Sequence, residues 1–237
     1  MFDTNIRRKI DPGLDRFAAL LIRCGCRAND VTLAGFLVGM SACACIAFQW
    51  HLTALVLIGI NRLADGLDGA IARRTGSTDL GGFLDIVLDT IFYSGVPFAF
   101  AVANQENQLP AAFLIYSFVG TGGSFLAFAV ISAKRGVTHD REKKKSFFYS
   151  TGLMEGAETI AFFFLFCLWP AHFPRLAWTF AGLCWFTTLL RIGSGVSQFK
   201  TENPGSVDRA KVIVAVEQPC PSGHLSPIDS KVVESRY

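Results

Sequence analysis

Apolar runs about as long as a bilayer is thick recur along this chain, and they leave few folds open to it. They are predicted at Val31 to about Gln49, His51 to Arg74, Asp79 to about Ala103, Leu109 to Ser132, Gly152 to Leu168, and Phe173 to Ile192. A segment in lipid must satisfy its own backbone hydrogen bonds, so runs of this kind read as helices. Six spans of roughly 20 residues use about half of the chain and leave room for short loops and tails. The expected fold is all-α, a polytopic membrane protein of six transmembrane helices. Composition agrees: 51% of the 237 residues are hydrophobic and 17% are charged, where a soluble domain carries about a quarter charged. A disordered or fibrous chain is excluded.

The segments outside the spans have characters of their own. Between residues 5 and 27, Arg7, Arg8, Lys9, Arg16, Arg23 and Arg27 surround Ile6, Ile10, Leu14, Phe17, Leu20 and Leu21. That spacing makes a one-sided basic helix, suited to lie at the membrane surface. Asn29 or Asp30 is expected to cap the first span. From Thr201 to Tyr237 the chain is polar and holds Pro204, Pro219, Pro221 and Pro227, which reads as a mobile tail. Three parts result: a surface helix over 1–29, a membrane domain over 30–198, and a tail over 199–237.

Charge placement gives the orientation. All but two of the 22 lysines and arginines fall on one side of a six-span arrangement; Arg175 lies opposite and Arg62 inside the second span. The crowded side is expected to be cytoplasmic, with both termini there and the protein in a bacterial inner membrane. The start of the chain lacks the short apolar core of a secretory signal, so the first span should remain in the mature protein. The seven cysteines form no CxxC pair and read as small apolar filler. No nucleic-acid motif is present, and no nucleic-acid partner is expected.

The chemistry sits where the second and third spans meet. The chain reads Asn61-Arg-Leu-Ala-Asp65-Gly-Leu-Asp68-Gly69-Ala-Ile-Ala72-Arg73, then Asp79-Leu-Gly81-Gly82-Phe-Leu-Asp85-Ile-Val-Leu-Asp89. Asp65 and Asp68 share one helix face, as do Asp85 and Asp89. A short turn makes the two helices antiparallel neighbours, so the pairs can converge. Ionised carboxylates inside a membrane cost several kcal/mol unless paired, hydrated or metal-bound. Four oxygen donors without a nearby histidine or thiol suit a hard cation such as Mg²⁺ or Mn²⁺. Gly66, Gly69, Gly81 and Gly82 let backbone and substrate approach closely, and Arg73 offers a planar fork to a phosphate.

The pattern Asp65-x-x-Asp68-Gly69-x-x-Ala72-Arg73 followed by Gly81-x-x-x-Asp85-x-x-x-Asp89 resembles the signature of the CDP-alcohol phosphatidyltransferase family. With the six spans, the surface helix and the Asn29-x-x-Thr32 step, the likeness extends over about residues 5–195. It is greatest to a bacterial inner-membrane branch with no assigned function. Two departures are visible: the spacer from Arg73 to Gly81 is one residue shorter than is common, and Ala28 stands where a proline often precedes the asparagine. The resemblance implies phospholipid biosynthesis. An alcohol hydroxyl attacks the phosphorus of a CDP-alcohol, such as CDP-diacylglycerol, distal to the cytidine, and CMP leaves. By similarity, Asp65 and Asp85 would each bridge two metal ions. Asp68 would complete the first site, and Asp89 would ligate the second ion and accept the proton. Asn29, Thr32, Gly69 and Arg73 would hold the CDP portion, with Thr78 a further candidate, and relatives are often homodimers.

Three residues outside the motif are candidates for the alcohol acceptor. Glu155 and Glu158 open the fifth span, though a capped, solvated first turn explains them as well. Arg191 could meet a phosphate or headgroup, or could simply reach to the interface. Lys143, Lys144 and Lys145 read as topology markers, while His51, His139 and His172 have no metal-ligand company. Phe162, Phe163 and Phe164 read as lipid-facing or core residues. Other classes are an intramembrane prenyltransferase, which would need a second aspartate cluster on a later span, and a cation transporter, which would need a polar path across the outer halves. A family member that only binds lipid or nucleotide is a further alternative.

Overall fold

The computed structural model describes residues 2–134 and 156–201. Its elements are α1 (Phe2–Arg23), α2 (Ala28–Ala47), α3 (His51–Thr75), α4 (Asp79–Ala103), α5 (Gln108–Lys134), α6 (Gly156–Leu168) and α7 (Phe173–Thr201). Single 3-10 turns at Gln105–Asn107 and Pro170–His172 lead into α5 and α7. Met1–Gly195 form one compact unit, and Val196–Tyr237 are grouped in a second. The loop lysines, His139, Glu155 and the tail beyond Thr201 lie outside the described residues.

Among the described residues, four helical stretches are long and apolar enough to cross a membrane: Ala28–Ala47, Asp79–Ala103, Gln105–Lys134 and Pro170–Ser197. Helix α3 has the length, at 25 residues, but from its middle onward it carries Arg62, Asp65, Asp68, Arg73 and Arg74. The described part of α6 is 13 residues, short for a span. Large apolar side chains such as Leu52, Val56, Phe98, Val102, Val119 and Leu189 stand on the outside, the arrangement expected when the surrounding solvent is lipid.

Helix ends follow the local chemistry. The turn after α1 is a Schellman closure: Cys26 N–H donates to the Leu21 carbonyl and Gly25 N–H to that of Ile22, with Gly25 at φ +81°. α2 begins at Ala28, three residues before the expected start. Asp30 does not precede the helix; it lies in its first turn and its carboxylate accepts from Arg27 N–H at 3.0 Å, securing the entry. At the far end α7 runs nine residues past Ile192. Apolar content falls there, but no proline intervenes before Pro204, so nothing stops the helix.

Packing brings the signature helices together. α2 lies against both α3 and α4. A Cβ placed on Gly35 would stand 2.8 Å from the Ala64 Cβ, so the α2–α3 approach requires a residue without a side chain. α1 rests on α3 through Leu14, Ala18, Leu21 and Ile22 against Leu67, Ala70 and Ile71, while Phe17 and Leu20 on its other side are exposed. The main core is aromatic: Phe92, Phe100, Phe163, Phe166, Phe173 and Phe180 are fully buried. Phe163 is thus a core residue, and Phe162 stacks on Phe180 with centroids 4.4 Å apart.

Candidate functional site

The turn between α3 and α4 sets the geometry. Gly76 takes φ +100°, a left-handed value that glycine adopts without strain, and its N–H closes α3 on the Ala72 carbonyl. Thr78 then caps α4, its hydroxyl accepting from Gly81 N–H at 3.1 Å. The second half of α3 thereby faces the first half of α4.

Three of the four signature carboxylates converge. Oxygens of Asp65, Asp68 and Asp85 lie within 4.8 Å of one another. Asp68 is buried and accepts a 2.6 Å hydrogen bond from the Thr32 hydroxyl. An all-oxygen donor set of this span fits a hard divalent cation and gives no thiol or imidazole for a softer one.

Asp89 is held differently. Arg62 Nη2 donates to one carboxylate oxygen at 2.8 Å and Nη1 approaches the other at 3.5 Å. The same guanidinium stands 3.7 Å from Asp65 and donates to the Tyr93 hydroxyl at 3.0 Å and, through Nε, to Asn61 Oδ1 at 2.9 Å. Asn61, itself buried, donates to the Gly35 carbonyl at 2.9 Å. Sequence reading placed Arg62 inside the second span without a role. The signal was there: an arginine just after the apolar run Leu52–Ile60, one turn before Asp65, is costly in a membrane unless paired.

A cavity of about 760 Å³ opens over the three carboxylates, within the size range of small-molecule sites. Asn29, Thr32, Gly69, Thr78, Gly81 and Gly82 are among its lining residues. A Cβ on Gly81 would come 3.1 Å from both Asn29 Oδ1 and Thr78 Oγ1, so the bare glycine lets those two polar groups face each other across the cavity rim. Arg73 is exposed, and its Nη1 would be 3.4 Å from a Cβ on Gly69. A narrower cavity of about 20 Å³ lies below, bounded by all four aspartates and Arg62.

The acceptor candidates are less gathered. Glu158 is half-buried in the first turn of α6, and a Cβ on the neighbouring Gly156 would be 3.6 Å from the Tyr93 hydroxyl. Arg191 donates to the Thr121 carbonyl at 3.0 Å and lies over the Phe125 ring, tying α7 to α5. Neither lines the two cavities.

The chain is 47% identical over 202 residues to the inner membrane protein YnjF of Escherichia coli, covering 85% of this chain and 98% of that one. It is 32% identical over 100 residues to the archaetidylinositol phosphate synthase of Pyrococcus horikoshii, covering 42% of this chain and 53% of the relative. Its fold matches the crystal structure of Mycobacterium tuberculosis phosphatidylinositol phosphate synthase with CDP-DAG bound. There the TM-score is 0.58 and identity 20%, over 77% of this chain and 93% of that one. Together with its apolar helices, the inner-membrane relative makes this an integral membrane protein. Residues 26–190 match the model of the CDP-alcohol phosphatidyltransferase family, and the chain belongs to that family.

Proposed function

We propose that the protein is a metal-dependent transferase of phospholipid biosynthesis that moves a phosphatidyl group from a CDP-alcohol, such as CDP-diacylglycerol, to an alcohol acceptor. The observation that carries this reading is the meeting of Asp65, Asp68 and Asp85 within 4.8 Å on the floor of a cavity of ligand size. Three carboxylates this close in a membrane helix pair call for a counter-cation. Asp65, Asp68, Asp85 and Asp89 would hold two Mg²⁺ or Mn²⁺ ions, which when bound would neutralise the diphosphate and the departing CMP.

The chain's own residues divide the remaining work. Asn29, Thr32, Gly69, Arg73 and Thr78 bind the CDP portion, Arg73 as a fork on phosphate oxygens. The acceptor oxygen forms a new bond to the distal phosphorus while the bond from that phosphorus to the CMP oxygen breaks. Asp89 takes the proton released by the attacking hydroxyl; in the ligand-free protein its carboxylate is held by Arg62. Thr32 orients Asp68 from behind. Glu155, Glu158 and Arg191 are assigned to the acceptor side.

In the membrane we place six spans, both termini in the cytoplasm and the cavity mouth at the cytoplasmic leaflet, as the lysine and arginine distribution supports. α1 lies along that surface, with Phe17 and Leu20 turned to lipid, and two copies form a homodimer. Family membership takes the place of the prenyltransferase and transporter alternatives.

The test supplies the purified protein with CDP-diacylglycerol and Mg²⁺ and follows CMP over a panel of alcohols, among them glycerol phosphate, inositol phosphate and serine. Acceptor-dependent CMP release supports the assignment and names the acceptor. Binding of CDP-diacylglycerol without release for any alcohol would favour a member that only binds lipid or nucleotide.

A further inference from the structure

Arg62 is an unusual feature to find beside a group of metal-binding carboxylates. Its fork takes both oxygens of Asp89, at 2.8 and 3.5 Å. The guanidinium is anchored from behind by Asn61 and Tyr93 and packed over the Phe92 and Tyr93 rings at 5.2 and 5.3 Å. Only 16% of its side chain is exposed. A cation held this way is part of the site and not a passing surface contact.

Its position divides the quartet. Asp65, Asp68 and Asp85 gather at one point, while Asp89 is paired with Arg62. The narrow cavity between them, about 20 Å³, has room for about one water-sized occupant. With Arg62 in place, one divalent ion leaves a single net negative charge among these five residues, and nothing there demands another. An incoming diphosphate adds negative charge, which would draw in a second cation and release Asp89 from the arginine.

Resting on the metal reading above, we infer that Arg62 is a built-in counter-cation for Asp89, a positioning residue that keeps the second metal position closed until the CDP-alcohol arrives. The donor-free protein then holds one divalent ion, at Asp65, Asp68 and Asp85. Donor and second ion bind with positive coupling, each tightening the other by the same factor.

The test counts bound Mn²⁺ by electron paramagnetic resonance on the full chain in detergent, with and without CDP-diacylglycerol. Wild type is expected to bind one ion alone and two with the lipid. Arg62→Gln should bind two without it, and Arg62→Lys, which keeps the charge, should stay at one. Two ions on the donor-free wild type, or one on Arg62→Gln, would overturn the inference while leaving the metal site standing. No Mn²⁺ on the wild type under either condition would overturn both. If Arg62→Gln does not fold, Asp89→Asn decides: it should bind one ion without the lipid and still one with it, and two ions with the lipid would overturn the inference.

Discussion

Replacing Gly35 by alanine adds one methyl group, and the structure says where it goes. The new Cβ would stand 2.8 Å from the Ala64 Cβ, whereas carbon atoms rest at about 3.5–4.0 Å. Both atoms sit on helical backbone, so relief requires α2 and α3 to separate by roughly 1 Å. Thr32 lies one turn earlier on α2, and Asp68 one turn later than Ala64 on α3. Adding that separation to the 2.6 Å Thr32–Asp68 contact gives about 3.6 Å, at which no hydrogen bond remains. Stability is a poor reporter here: overpacking costs about 1–3 kcal/mol, but alanine regains up to about 1 kcal/mol of helix propensity. Divalent-metal affinity is the better one, since loss of an outer partner of a ligand typically costs about 10- to 100-fold. Mn²⁺ titration of Gly35→Ala should show a fall in that range. The double variant Gly35→Ala, Ala64→Gly, in which the methyl has merely changed helix, should recover it. Unchanged affinity in the single variant, or no recovery in the double, would refute the link between helix approach and site.

Other outcomes follow from the same contacts. Thr32→Val keeps the shape and removes the hydroxyl, and should weaken Mn²⁺ binding by about 10- to 100-fold while Thr32→Ser does not; isothermal titration distinguishes them. Gly81→Ala pushes on Asn29 and Thr78 at 3.1 Å and should raise the dissociation constant for CDP-diacylglycerol severalfold, with donor-free metal binding intact. Arg191→Ala cuts the link to the Thr121 carbonyl and should lower stability in detergent by about 1.5–3 kcal/mol, read from a thermal melt. Glu158→Gln should shift the preference among acceptor alcohols without changing CDP-diacylglycerol binding, and identical acceptor kinetics would remove it from the acceptor side.

What could be read in advance depended on how local the cause was. The limits of α4, Asp79 to Ala103, were legible because Thr78 caps one end and Asn104 with a polar 3-10 turn closes the other. The gathering of Asp65, Asp68 and Asp85 was legible because spacings of three residues on one helix and a short turn to the next leave little choice. The pairing of Asp89 with Arg62 was not, because the side chain of that arginine, one turn before Asp65, could have pointed to lipid, to solvent or inward. Tyr93 and Asn61, which hold that arginine, are polar residues in apolar helices and become informative only when α2, α3 and α4 are seen packed together. The face of α1 was half legible: Leu14 and Leu21 do meet α3, yet Phe17 and Leu20, read as part of the same apolar side, face away.

The central claim is that these carboxylates carry out phosphoryl transfer, with Asp89 receiving the proton. Its most direct test is the rate of acceptor-dependent CMP release from CDP-diacylglycerol, measured side by side for wild type and for folded Asp89→Asn at saturating Mg²⁺. Turnover is expected from the wild type, with a fall of at least about 10²-fold in the variant, the scale of a lost general base. Equal rates for the two proteins would contradict it.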